Sequence, residues 1–340
     1  MYARPVADAT DEGWMRAAIA AADGVRATAH PNPWVGCTIV ADGVLVAAGA
    51  TRPPGEAHAE VAALEAAGDQ ARGATAYVTL EPCSHTGRTG PCADALIACD
   101  IGRVVVAVLD PDPRVRGEGV ARLRDAGIPV EVGCCADLVE AQLAPYLHQR
   151  RTGRPYVVLK LAASLDGRTA APDRTSRWIT GPEARADAHR LRAESDSIVV
   201  GAGTVRDSDP TLTVRDAEGP DPLRVVLGTA PAGARVHPCT EWTGSVTELL
   251  DHLGGLGHVQ TMFEGGATVA GELHRSGLVD RYVLYLAPAL VGGDDAPGLF
   301  RGAGAATIAD AWRGRIAAVT QLGDDLRIDL LPRDTTEGNP

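Results

Sequence analysis

Lysine is almost missing from this sequence: of its 32 basic residues only Lys160 is not an arginine. A bias toward arginine replaces lysine wherever charge alone matters, so the one position that departs from it is a candidate for chemistry, with a structural ion pair as the plainer reading. Basic residues are also outnumbered, and 44 Asp and Glu leave a net charge of −12 and an isoelectric point near 5.2. Binding along nucleic acid relies on clustered Lys and Arg against phosphates, which this balance disfavours. A small anionic substrate needs only a few local arginines and stays compatible. Aromatics make up 4% of the chain, too few to suggest a base-stacking platform. No apolar run reaches the roughly 18 residues of a membrane span. The acidic start, with Asp8, Asp11 and Glu12, carries no signal core. Seven cysteines, at 37, 83, 92, 99, 134, 135 and 239, are an odd set without the dense spacing of a secreted disulfide scaffold. These absences point to a cytoplasmic protein that engages neither membrane nor nucleic acid. A length of 340 residues, at about 150 per domain, points to two domains.

What is present is concentrated between His58 and Cys92. His58-Ala59-Glu60 is followed by Pro82-Cys83 and, after eight intervening residues, by Cys92. One imidazole and two thiolates can hold Zn²⁺ at three corners of a tetrahedron and leave the fourth for water, as a catalytic zinc requires. Glu60, two residues beyond the His, can carry protons between that water and a departing amine without being a ligand. This is the signature of zinc nucleobase deaminases, except that two residues separate the cysteines there. The competing reading is a closed structural site, with His85 in the loop as the spare fourth ligand.

The surrounding pattern is α/β. An Ala-rich helix is expected from Asp11 to Ala29, stopped by Pro31 and Pro33. Val35–Val40 and Val44–Ala48 flank Ala41-Asp42-Gly43 as a hairpin. Asn32 lies in the loop before it, where an amide can read a pyrimidine edge, or where Asn-Pro simply makes a turn. His58–Ala67 reads as a helix closed by Gly68, Thr75–Leu80 as a strand, and Pro91 as the start of the next helix. Arg103–Leu109, a helix near Glu118–Ala126 and Ile128–Val132 complete an alternation that implies a sheet covered by helices on both faces.

His30-Pro31-Asn32-Pro33-Trp34-Val35-Gly36-Cys37, His58-Ala59-Glu60-Val61 and the run Thr79-Leu80-Glu81-Pro82-Cys83-Ser84-His85-Thr86-Gly87-Arg88-Thr89-Gly90-Pro91-Cys92 together resemble the deaminase half of the bifunctional riboflavin-biosynthesis deaminase/reductase family, RibD or RibG. A long gap between the cysteines is normal in that family. The resemblance implies a cytidine-deaminase-like αβα domain over residues 1–150, zinc ligands His58, Cys83 and Cys92, proton shuttle Glu60, and substrate contacts at Asn32 and Arg88. Thr51 stands where the family often has His, and Gly90 where Pro is common.

The basic stretch Leu147 to Pro155 reads as an exposed connection and a domain boundary. Beyond it, Tyr156–Ala162 is an apolar strand containing Lys160, a helix covers 181–193, and Ser197–Val200 is a buried strand ending in Gly201-Ala202-Gly203-Thr204. The full Gly-x-Gly-x-x-Gly fingerprint is absent, which excludes a standard Rossmann domain. Leu223–Leu227 and Val259–Phe263 read as strands, and the latter runs through Glu264-Gly265-Gly266-Ala267-Thr268 into a helix to about Ser276. Two glycines at such a turn let backbone amides approach a phosphate, or merely make the turn tight.

Lys160–Thr169, Ser176–Thr180, Val200–Arg215, Glu264–Gly266 and Leu278 to Gly293 resemble, in order, the reductase half of the same family. This implies a dihydrofolate-reductase-like α/β domain over residues 151–333, before a polar tail, 334–340, expected to be disordered. It further implies NADPH contacts at Ala163, Trp178, Thr204, Ser208 and Gly266, and contacts to ribose phosphate or pyrimidine at Ser176, Arg192, Leu212, Arg215 and Glu264. Ser208 stands at the first Asp of the family's Asp-Asp-Pro, and the segment after Arg215 is compact. Lys160 is the catalytic candidate, a cation beside developing charge.

The expected activity is hydrolytic deamination of a diaminopyrimidinone ribosyl phosphate, followed by NADPH-dependent reduction of the ribosyl group to a ribityl chain. The partner is then a small phosphorylated pyrimidine, and a homo-oligomer is compatible. The rival readings are a deaminase of another base with a degenerate second half, and a zinc-stabilised binding module without chemistry.

Overall fold

The computed structural model describes residues 10–85 and 90–333; Arg88 and the tail 334–340 lie outside the described residues. The chain divides after Thr152 into two compact units. Among the described residues no helix is long and apolar enough to cross a membrane.

In the first unit, α1 (Asp11–Asp23) starts where the Thr10 hydroxyl accepts the Gly13 N–H at 3.3 Å, and Asp11 and Glu12 meet the positive end of the helix dipole. The helix expected to reach Ala29 is cut in two: Gly24 closes α1, and the single turn α2 (Arg26–Ala29) follows. The expected hairpin forms from β1 (Gly36–Ala41) and β2 (Val44–Ala50). Asp42 and Gly43 both take positive φ, 49° and 73°, a two-residue turn whose twist suits the strands. Next come α3 (Ala59–Ala67), β3 (Thr75–Leu80), α4 (Cys92–Ala98), β4 (Arg103–Val108), α5 (Glu118–Asp125), β5 (Val130–Val132), α6 (Ala136–Gln142) and α7 (Ala144–Thr152). The sheet runs β2-β1-β3-β4-β5, antiparallel up to β3 and parallel beyond. A Cβ at Gly49 of β2 would strike the Ala59 carbonyl and the Ala63 nitrogen, so glycine is what lets α3 sit close against the sheet. The exposed connection expected from Leu147 is corrected. Residues up to Thr152 belong to α7, where Tyr146, Leu147 and Gln149 turn inward while Arg151 and Thr152 face out.

The second unit comprises β6 (Tyr156–Ser164), α8 (Pro182–Ala193), β7 (Ser197–Gly201), α9 (Ala202–Ser208), β8 (Leu223–Leu227), β9 (Thr240–Trp242), α10 (Val246–Gly255), β10 (Gln260–Phe263), α11 (Ala267–Ser276), β11 (Arg281–Ala287), β12 (Gly314–Leu322) and β13 (Asp325–Pro332). Its eight strands run β12-β13-β11-β6-β10-β7-β8-β9. They are parallel from β11 to β9, with an antiparallel pair, β13 and β12, at one edge. Val157, Leu159, Leu161, Val199 and Phe263 pack with Leu249, Leu250 and Leu253 of α10 on one face, and Ile198, Val200 and Val226 pack with Val205 of α9 and Leu212 on the other. Burial on both faces makes the parallel strands read as continuous apolar runs. In an open sheet of this kind ligands sit beyond the carboxyl ends of the strands. Those ends carry Glu264, after β10, and the turn from β7 into α9.

Candidate metal centre and cationic cavity

His58 caps the start of α3, so its ring projects from a fixed backbone position, and Glu60 follows in the first turn, 3% exposed. Cys83 leaves β3 through Glu81-Pro82, and Cys92 opens α4. His58 Nδ1 lies 3.7 Å from Cys83 Sγ and 3.3 Å from Cys92 Sγ, and the Cys92 backbone N–H donates to Cys83 Sγ at 3.3 Å. All three ligand atoms lie within 4.8 Å of one another. A tetrahedral zinc with ordinary bond lengths would separate its N and S ligands by about 3.5 Å. The observed distances bracket that value, and the donor set, one imidazole and two thiols, suits the ion. Among the described residues the cluster has these three members only. His85, the spare ligand of the closed-site reading, lines the same cavity as His58, Glu60 and Cys83 but stands outside the cluster.

The electrostatics favour one thiolate hydrogen-bonded to one thiol. Cys83 is pushed down to about 4, chiefly by the Cys92 thiol bonded to it and further by His58 and the Cys92 N–H. The charged Cys83 and burial push the Cys92 thiol up in turn. Burial, and then the Cys83 charge, raise Glu60 to about 7.

Two residues hold this centre through bonds that no local motif announces. The buried Glu81 carboxylate accepts the N–H groups of Asp110 (3.2 Å), Gly117 (2.9 Å), Gly119 (3.0 Å) and Val120 (3.1 Å), which ties the Glu81-Pro82-Cys83 corner to the start of α5. Gly119 lies so close to the Pro82 carbonyl that a Cβ would collide with it. Thr51 Oγ1 donates to the Pro33 carbonyl and accepts the Val35 N–H, each at 3.0 Å. Its hydroxyl therefore clamps the loop on which Asn32 reaches the cavity. Arg88 lies outside the described residues.

In the second unit two chambers, of about 700 and 730 Å³, share Lys160, Ser176, Thr204, Ser208 and Glu264 in their walls. Glu264 joins the site together: one oxygen takes Lys160 Nζ at 2.9 Å and the other takes Arg192 Nη2 at 2.8 Å. Against the cost of burial, these two cations hold Glu264 well below the usual carboxylate range. The first chamber adds Trp178, Arg192, Leu212 and Arg215. Trp178 is 68% exposed, with the Arg177 and Arg185 guanidiniums 5.9 and 4.6 Å from its ring. Six cations, Lys160, Arg177, Arg185, Arg192, Arg215 and Arg235, face three carboxylates, Asp209, Asp216 and Glu264, in this wall. On a chain of net charge −12 that local excess focuses positive potential on one cavity. The second chamber adds the Gly265-Gly266 turn at the head of α11, whose Gly266 N–H donates to Thr204 Oγ1 at 3.2 Å. Ala163 is fully buried, and it is the adjacent Ala162 that lines both chambers.

Comparison with known proteins gives two family matches: the cytidine and deoxycytidylate deaminase zinc-binding region over residues 8–108 and the RibD C-terminal domain over residues 155–328. The chain is 42% identical over 364 residues to riboflavin biosynthesis protein RibD of Escherichia coli K12, covering 94% of this chain and 99% of that one. It is 43% identical over 325 residues to RibD of Mycobacterium tuberculosis, covering 91% and 94%. Among solved structures, Acinetobacter baumannii RibD superposes with a TM-score of 0.88 at 39% identity, covering 95% of this chain and 99% of that one. A Thermotoga maritima diaminohydroxyphosphoribosylaminopyrimidine deaminase/5-amino-6-(5-phosphoribosylamino)uracil reductase superposes with 0.85 at 29% identity and the same coverage.

Proposed function

The chain belongs to the RibD family, and from that premise we propose how its residues divide the two reactions. It is a bifunctional deaminase and reductase of riboflavin biosynthesis that uses zinc and NADPH. In our reading the deaminase occupies residues 1–150 and the reductase 151–333.

In the first reaction His58, Cys83 and Cys92 hold the zinc, which supplies the Lewis acidity that brings a water molecule's pKa toward about 7. Glu60 takes a proton from the attacking water and returns it to the amine that departs from 2,5-diamino-6-ribosylamino-4(3H)-pyrimidinone 5′-phosphate. Asn32 reads the pyrimidine edge, and Arg88 contacts substrate. Glu81 and Thr51 keep the Cys83 corner and the Asn32 loop in register.

When bound, NADPH would supply the hydride that C1′ of the opened ribose takes up in the second reaction, with a proton from solvent completing the reduction. Trp178, Thr204, Ser208, Gly266 and the backbone near Ala163 bind that cofactor, Ser176, Leu212 and Glu264 seat the pyrimidine and ribose, and Arg192 and Arg215 take the phosphate. Lys160, fixed by Glu264 where the two chambers meet, offsets the negative charge that hydride addition at C1′ leaves on the heteroatom bonded to it. The finer partner assignment belongs to the same proposal: a small phosphorylated pyrimidine rather than nucleic acid, a cytoplasmic setting, and self-association through the outer strand β12, where Ile316 and Val319 are 59% and 57% exposed.

The observation that carries the deaminase assignment is the three-member cluster opening onto a cavity shared with Glu60. The test is a coupled assay on the purified chain that follows ammonia and NADPH separately. Removing zinc with a chelator is expected to abolish ammonia release from the diamino substrate, while NADPH oxidation persists when the deaminated intermediate is supplied. Persistent ammonia release from metal-free protein would refute the zinc site, and no NADPH oxidation by the untreated chain would refute the reductase half.

A further inference from the structure

His189, 6% exposed, lies on α8 three residues before Arg192. Both of its ring nitrogens meet Arg215: the Arg215 backbone N–H donates to Nδ1 at 3.3 Å, and guanidinium Nη2 lies 3.2 Å from Nε2. The Asp216 carboxylate stands 3.9 Å from Nε2. Both of the Arg215 groups at the ring are N–H donors, and a neutral imidazole has one acceptor nitrogen at a time. With its proton on Nε2 the ring accepts the backbone N–H; with the proton on Nδ1 it accepts the guanidinium. A second proton would set N–H against N–H. The charged groups facing the ring are Arg192 on the same helix, Arg215 and Asp216 from the loop before β8, and Glu264 after β10. Burial, then Arg192 and Arg215, hold its pKa below the ordinary histidine value, so it is neutral at neutral pH.

Arg215 is itself exposed, and its Nη1 also donates to Thr211 Oγ1 at 2.6 Å. An exposed arginine loses rotamer freedom when it takes a ligand, and fixing it in advance removes part of that cost. We propose that His189 is a positioning residue that pre-sets Arg215 for the phosphate end of the reductase substrate. This rests on the reading of Arg192 and Arg215 as phosphate contacts.

The test is steady-state reduction by the full chain of 5-amino-6-(5-phosphoribosylamino)uracil and of its dephosphorylated counterpart, for H189L, H189N, R215A and the H189L/R215A double variant. H189L is expected to raise KM for the phosphorylated substrate about tenfold, as loss of a hydrogen bond to a charged group does, with a much smaller change in kcat and none in KM for the dephosphorylated substrate. H189N, whose amide oxygen can accept the Arg215 N–H, is expected to recover part of the loss, and the double variant to be no worse than R215A. Parental KM values in both His189 variants, or losses that add in the double variant, would overturn the positioning role. Equal damage by R215A to both substrates would instead overturn the phosphate reading beneath it. Should H189L fail to fold, the pH profile of H189N decides: the parent's KM is expected to rise more steeply than the variant's as pH falls below about 6.5, and parallel profiles would overturn the proposal.

Discussion

Glu60 has the two properties a proton shuttle needs, a position in the cavity that His58 and Cys83 line and a buried carboxyl whose pKa burial raises. Glu60→Gln keeps the shape and removes the titratable group. We expect it to retain zinc, because the three ligands are untouched, and to lose about 10²- to 10⁴-fold in ammonia release. Elemental analysis of the protein alongside the ammonia assay checks both, and release at the parental rate would remove Glu60 from that role. His58, Glu60, Cys83 and Cys92 were legible in the sequence because each sits in a short local motif. The roles of Glu81, Thr51 and His189 were not, because what they do depends on partners 29 to 39, 16 to 18 and 26 residues away, brought near only by the sheet and its crossovers.

At the level of elements, the metal centre is assembled by the starts of α3 and α4 and by the strand-to-loop corner after β3, which Glu81 ties to the start of α5. Four buried or half-buried N–H groups converge on one carboxylate there. Glu81→Ala would leave them without that acceptor, at a cost of at least about 2 kcal/mol. The expected outcome is a lower urea midpoint for the full chain and weaker zinc retention, with reduction of supplied intermediate retained under native conditions. An unchanged midpoint would show that the corner is held by something else. The strands that a linear reading found, such as β3 and β8, are apolar runs bounded by turn residues. β12 escaped it because nearly every one of its residues is exposed, leaving no alternation to read. The end of α7 reads as a linker in the sequence because from Leu147 onward His148, Arg150 and Arg151 stand beside only two buried side chains, Leu147 and Gln149.

For the molecule as a whole, the net charge of −12 sets the solvent-facing character, and carboxylates paired with cations, two of them inside the second unit, contribute to its response to acid. Against the cost of burial, Glu264 is held below its usual range by Lys160 and Arg192, and Asp187 by Arg327, Arg190 and Tyr285. A carboxylate whose pKa is depressed by folding stabilises the fold above its unfolded pKa and loses that contribution as pH falls toward its folded value. The second unit is therefore expected to lose stability as pH drops below about 4.5, the ordinary carboxylate range. Glu264→Gln should lower stability at neutral pH, because Lys160 and Arg192 lose their shared counter-charge, yet flatten the decline on acidification, because the group that takes up the proton is gone. Thermal midpoints of parent and variant between neutral pH and pH of about 3 decide the matter. Curves of equal slope would mean that this carboxylate is not what couples the cavity to acid.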